Sequence, residues 1–176
     1  LVTTTIETDQ GINRKLPPIE QSKTDVIIKE KNILQVLVNK NDQLLVNDEL
    51  LELKDLRKKA VEFLDNGGDG TCVYCKGTRN PESSDNPEKA IISLQNDAET
   101  SYKTYIAVQN ELVAAYYELR DRECLKKYGV TYREMESIFE DPRTPEKKVA
   151  ILEPKIKVIQ ELYPQKLSEA EPKSSN

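Results

Sequence analysis

Apolar and polar positions alternate from Ile33 to Val38. Leu34, Val36 and Val38 share one face, and Ile33 and Leu37 share the other. A period of two predicts a β-strand, and apolar residues on both faces place it centrally or under cover. Asn39–Asp42 predicts a turn, because Asn and Asp tolerate left-handed backbone. Leu44, Leu45 and Val46 form the return strand, which ends at Asn47-Asp48. The period then becomes helical. Leu53, Leu56, Ala60, Phe63 and Leu64 recur on one side, with Lys58, Lys59 and Glu62 on the wet side.

Residues 65–88, DNGGDGTCVYCKGTRNPESSDNPE, lack any period and read as a long irregular loop, with the helix leaving through Gly67-Gly68. Lys89–Gln95 predicts a further strand. Asp97–Ser101 supplies caps for a long helix that reaches Lys127. Its apolar side is Tyr105, Val108, Leu112, Ala115, Tyr116 and Leu119, widened by Ile106 and Val113. Thr131–Glu134 is a capping box that opens a short helix. Thr144–Lys148 opens another, with Pro145 expected at its first position, Pro154 as a break or kink, and Tyr163-Pro164 as its end. Gln165–Ala170 fits a closing strand, and Asp25–Lys29 a short early one. The order predicts an α+β fold, a two-layer sandwich. A small mixed β-sheet carries two main amphipathic helices on one face, plus extra C-terminal helices. No internal repeat is evident. Residues 1–25 read as a start followed by an extended linker around Pro17-Pro18, 26–170 as the domain, and 171–176 as a disordered tail.

Composition narrows the chemistry. The 176 residues are 37% hydrophobic and 32% charged, with a net charge of -5. Lysines are interleaved with Asp and Glu, so there is no basic patch for nucleic acid. The chain has no His, which removes the commonest general base and the commonest metal ligand. Cys72 and Cys75 form C-V-Y-C. A redox active site of that spacing follows a strand and opens a helix, whereas this pair follows a helix among glycines. A zinc site needs four ligands, and Cys124 adds only a third. The plain reading is a loop staple, disulfide-bonded in an oxidising compartment. Asp65–Gly70 departs from a calcium loop at Gly67 and Lys76. Tyr102, Tyr105, Tyr116 and Tyr117 read as core and rim, with a binding patch as the alternative. No cofactor is implied. Leu1–Ile6, LVTTTI, reads either as the outer end of a membrane segment or as an ordinary frayed terminus. Six residues are too short to cross about 30 Å of hydrocarbon.

Four stretches together carry a resemblance: LVTTTI…INRKLPPI, NILQVLVNKNDQLLVNDELLELKDLRKKAVEFL, KAIISLQNDAETSYKTYIAVQNELVAAYYELRD and YPQKLSEAEP. They resemble the ExbD/TolR family of biopolymer-transport proteins, closest to its longer ExbD-like members. Residues 66–88 and 121–160 look like insertions relative to the compact family domain. The resemblance implies a single-pass protein of the inner membrane of a Gram-negative bacterium, with this domain in the periplasm. Leu1–Thr5 would be the outer end of the membrane helix. The family's proton-conducting Asp lies on that helix and has no counterpart here, so no catalytic residue carries over. Lys15–Pro18 is similar to the family's segment just outside the membrane, Asp97 to the turn before its second helix, and Lys166–Ala170 to its closing strand. The implied partners are an ExbB-like membrane protein, a TonB-like or TolA-like energy transducer, and a second copy in a homodimer. The expected docking edges are Ile12, Lys15, Leu16 and Pro17, or Leu167, Ser168 and Ala170. Three rival readings are a TolR-like envelope-integrity protein, a free periplasmic adaptor and a CxxC redox enzyme.

Overall fold

The computed structural model describes residues 5–7 and 27–170. Among them, six strands and four α-helices are ordered β1 (Thr5–Glu7), β2 (Ile33–Val38), β3 (Leu44–Val46), β4 (Glu49–Leu51), α1 (Leu53–Leu64), β5 (Ile91–Asn96), α2 (Tyr102–Tyr128), α3 (Tyr132–Glu140), α4 (Glu146–Leu162) and β6 (Leu167–Glu169). The strands form one mixed sheet in the order β1-β6-β5-β2-β3-β4. β2 runs parallel to β5, and β5 parallel to β6; the other neighbours are antiparallel. Both parallel connections step the same way across the sheet. Right-handed crossovers therefore put α1 and α2 on the same face. The α+β two-layer architecture expected from the sequence is the one observed.

The alternation along β2 sorts its side chains. Leu34, Val36 and Val38 are buried against the helices with Ile92 and Leu94 of β5. Leu56, Ala60, Phe63 and Leu64 of α1 and Val108, Leu112, Ala115, Tyr116 and Leu119 of α2 close this core. Arg57 of α1 grips Glu111 of α2 through two hydrogen bonds of 2.9 and 3.1 Å. The first turn is held by Asn39, whose Oδ1 accepts from the amides of Asn41 and Gln43. Ser101 caps α2 by accepting from the Thr104 amide, and Gly129 ends it in left-handed backbone.

Four local expectations differ from the structure. Ile27–Lys29 form no strand and lead into a 3-10 turn, Glu30–Asn32; Asp25 and Val26 lie outside the described residues. Asn47-Asp48 does not simply end a strand. Both residues have positive φ, 48° and 66°, so they make a tight hairpin turn into β4. Leu53 begins α1 but is exposed, while Leu56, Ala60, Phe63 and Leu64 of that helix are buried. Pro154 neither breaks nor ends α4, which runs through it from Glu146 to Leu162, with Pro145 one place earlier than expected, at the cap. Ala150 and Pro154 are both exposed, so the carbonyl that loses its donor can be hydrated.

Residues 65–88 are irregular yet firmly packed. Asn66 is buried, donating Nδ2 to the carbonyls of Asn80 and Ser84 at 2.9 and 2.7 Å and accepting from the Asn80 amide. Asn32 and Asp85 exchange two hydrogen bonds, and Lys31 pairs with the Asp85 carboxylate. That lysine and Asn32 hold the Asp85 carboxyl below its ordinary range. Cys72 and Cys75 are joined in a disulfide. The Arg79 guanidinium donates to the Cys72 carbonyl at 3.1 Å. Gly77 is required because a Cβ there would stand 2.5 Å from the Asp65 carbonyl oxygen. A second apolar cluster lies in the C-terminal helices: Cys124, Tyr132, Met135, Phe139, Val149, Ile156 and Ile159.

Candidate docking edge and its buried anchor

β6 is only three residues long and sits between β5 and β1. Its backbone alternates in direction. The Lys166 carbonyl accepts from the Ile92 amide, and the Ala170 amide donates to the Leu94 carbonyl. Residues 166, 168 and 170 therefore turn their backbone groups toward β5, and Leu167 and Glu169 turn theirs toward β1. Of the expected edge residues, Leu167 turns its backbone outward onto β1, while Ser168 and Ala170 turn theirs inward onto β5. Glu169 completes the outward pair and was not singled out by sequence reasoning; the alternation of a strand between two neighbours is the signal that finds it. The β1 ladder has three residue pairs, Thr5↔Glu169, Ile6↔Ser168 and Glu7↔Leu167. Ile12, Lys15, Leu16 and Pro17 lie outside the described residues.

Side chains hold β6 from the helix layer. Leu167 is buried in the core. Glu169 accepts from Gln109 Nε2 of α2 at 2.6 Å. The Lys166 amide donates to the Tyr116 hydroxyl at 3.3 Å, and the Lys166 ammonium reaches the Glu88 carbonyl.

The approach to β6 is anchored by a buried polar network. Tyr163 follows α4 and is fully buried. Its hydroxyl donates to Asp65 Oδ1 at 2.5 Å and accepts from Arg122 Nη2 at 2.9 Å. Arg122 also forks onto Asp65 at 2.7 and 3.0 Å. Arg120 donates Nε and Nη2 to the Tyr163 carbonyl at 3.0 and 2.9 Å. From the disulfide loop, the Tyr74 hydroxyl donates to the Leu162 carbonyl at 2.7 Å, and its ring meets Tyr163 edge-on at 5.4 Å. Thus the 65–88 loop, the end of α2 and the end of α4 converge on the residues that launch β6. Of the four tyrosines expected as core and rim, Tyr116 is buried, Tyr105 and Tyr117 are half-buried and Tyr102 is 78% exposed.

Burial, and then the hydrogen bond to Asp65, push the Tyr163 phenol well above its ordinary range. Burial pushes the Cys124 thiol up to about 11. Both groups hold their protons in the folded state at pH values where the unfolded chain loses them, about 8.5 for a thiol and about 10 for a phenol. Their contribution is therefore complete below about pH 8.5 and lost as pH rises through the folded values. We expect the urea midpoint to fall from pH 8.5 to 11, and Tyr163→Phe to flatten the decline above pH 10. A midpoint constant across that range in equilibrium unfolding would contradict this.

Among the described residues, no group of three His, Cys, Asp or Glu gathers around a point where a metal ion fits, and no helix is long and apolar enough to cross a membrane. Fold and site together define a two-layer α+β domain whose most elaborately supported feature is β6, a short strand one place in from the margin of its sheet. The family model for the biopolymer transport protein ExbD/TolR matches residues 1–120, so the chain belongs to that family. A search among curated proteins finds no match. The family match ends inside α2. The last turns of that helix, α3, α4 and β6 lie beyond it.

Proposed function

We propose that this chain is the periplasmic domain of an ExbD-like inner-membrane protein that couples proton-motive force to TonB-dependent transport. It acts by binding and moving other proteins, without making or breaking bonds. Family membership carries this reading. The implied assembly is a homodimer with an ExbB-like membrane partner, anchored through a membrane helix. The transducer would dock as an added strand on β6, at the backbone of Leu167 and Glu169, with Ile12–Pro17 as the second candidate stretch.

The short β1–β6 ladder supports such an exchange. A partner strand that displaces Thr5–Glu7 replaces one set of three residue pairs by another. The net free-energy change is then small, which suits a contact made and released repeatedly. The anchor at Tyr163 would keep β6 in register while its neighbour changes. The test is a titration of the isotope-labelled chain with periplasmic peptides from TonB-like and, separately, TolA-like transducers. The expected result is a saturable shift of the Leu167 and Glu169 amides with the TonB-like peptide. Response to the TolA-like peptide alone would assign the chain to the Tol-type system. If neither amide, nor any in Ile12–Pro17, moves at millimolar peptide, the docking reading fails.

A further inference from the structure

Among the described residues β4 is the margin of the sheet opposite β1, and it has the features of a second strand-docking site, separate from β6. The Asn47-Asp48 turn closes a two-residue hairpin, so Val46 and Glu49 form its hydrogen-bonded pair. Alternation makes Leu44↔Leu51 the next bonded pair and Leu45↔Leu50 a non-bonded one. The N–H and C=O of Leu50 therefore point away from β3, out of the sheet. Leu50 is 69% exposed, unusual for leucine in a strand. Uncovered edges with apolar residues are where extended chains add.

Beside this edge runs an open groove of about 640 Å³ between β4 and the first half of α2. Leu44, Leu51 and Val108 contribute apolar surface, and Leu53 adds a partly exposed wall. A strand added alongside β4 would direct alternate side chains into this groove. The groove carries two carboxylates, Asp42 and Glu52, and no cation. Asp48 and Glu49 add two exposed carboxylates at the start of the strand. Lys54 is the nearby counter-charge, paired with Glu52 at 2.6 Å.

We infer that β4 accepts an extended segment of a partner protein in which apolar residues alternate with Lys or Arg. Apolar side chains enter the groove, and the cations answer the acidic rim. A second copy of this chain fits less well, because pairing β4 with β4 brings two acidic edges together.

The probe is the capped peptide Lys-Val-Lys-Val-Lys-Val-Lys, titrated into the isotope-labelled chain at low salt. The Leu50 amide is expected to shift saturably. Glu49→Lys combined with Glu52→Lys is expected to weaken binding at least tenfold. N-methylation of the central valine of the peptide should abolish binding, since it removes a backbone donor and leaves the protein untouched. Three results overturn the inference: an unmoved Leu50 amide, equal binding of the matching Glu-Val peptide, or a Leu50 shift that follows protein concentration alone and so reports self-pairing. Leu167 and Glu169 serve as internal references, so this outcome is independent of docking at β6.

Discussion

Arg122→Ala is expected to cost about 3 kcal/mol or more of folding stability, an effect set by what it leaves behind. The Asp65 side chain is 7% exposed and receives both prongs of the guanidinium. Without Arg122 the buried carboxylate keeps the Tyr163 hydroxyl but loses its main countercharge. Arg122 also contacts Glu123 at 3.1 Å, itself buried, so a second carboxylate loses a partner. For a chain of this size, about 3 kcal/mol corresponds to a melting temperature lower by roughly 6–12 °C. Asp65→Asn in the Arg122→Ala background removes one stranded charge and should recover part of the loss. Urea unfolding of the two variants separates the cases. A cost below about 1 kcal/mol for Arg122→Ala would mean that the pair behaves like an ordinary surface ion pair.

Phe139→Ala should destabilise by about 3–5 kcal/mol, and the pattern of loosening matters as much as the size. Phe139 is 2% exposed in the cluster that joins α3, α4 and the end of α2. The cluster is tied by polar contacts as well. Tyr117 donates its hydroxyl to Glu136 at 2.6 Å, and Gln160 donates to the Tyr132 hydroxyl at 2.9 Å. Arg120 lies over the Tyr132 ring at 5.2 Å while holding the Tyr163 carbonyl. The cavity left by the phenyl ring is therefore connected to the launch point of β6. Hydrogen exchange is expected to speed up in α3, α4 and β6 while the paired amides of β2 and β5 stay protected. Equal acceleration everywhere would show that the C-terminal helices and the sheet unfold as one unit without a local path to β6.

These couplings give the C-terminal extension a physical role. Family members share residues 1–120 of this chain by match. Here, Arg122, Leu162, Tyr163 and Lys166 contact the loop at 65–88, and the segment beyond Arg120 delivers the closing strand. The disulfide at Cys72–Cys75 closes too short a loop to add more than about 2 kcal/mol. Its neighbour Tyr74 contributes by bonding the Leu162 carbonyl and meeting the Tyr163 ring edge-on.

The alternation in Ile33–Val38 and the helical spacing in 53–64 and 102–119 were legible by themselves, because each reports burial of one face against something. The caps at Ser101 and Thr131 were legible too, since the residues that satisfy a helix end lie within a few positions of it. From these, two helices on one face of a mixed sheet followed. What the sequence left open was which partner each face meets. β4 was missed because three residues are too few to show a period. That α4 continues through Pro154 without a break was not legible, because local propensity does not reveal that its turn faces water. The Asp65–Arg122–Tyr163 anchor joins residues 57 and 41 positions apart through polar side chains that follow no period. The identities of the sheet margins, β1 beyond β6 on one side and β4 on the other, came only from strand order. Strand order is a matter of long-range pairing, and hydrogen-bonded edges look alike in sequence until the fold decides which of them remain open.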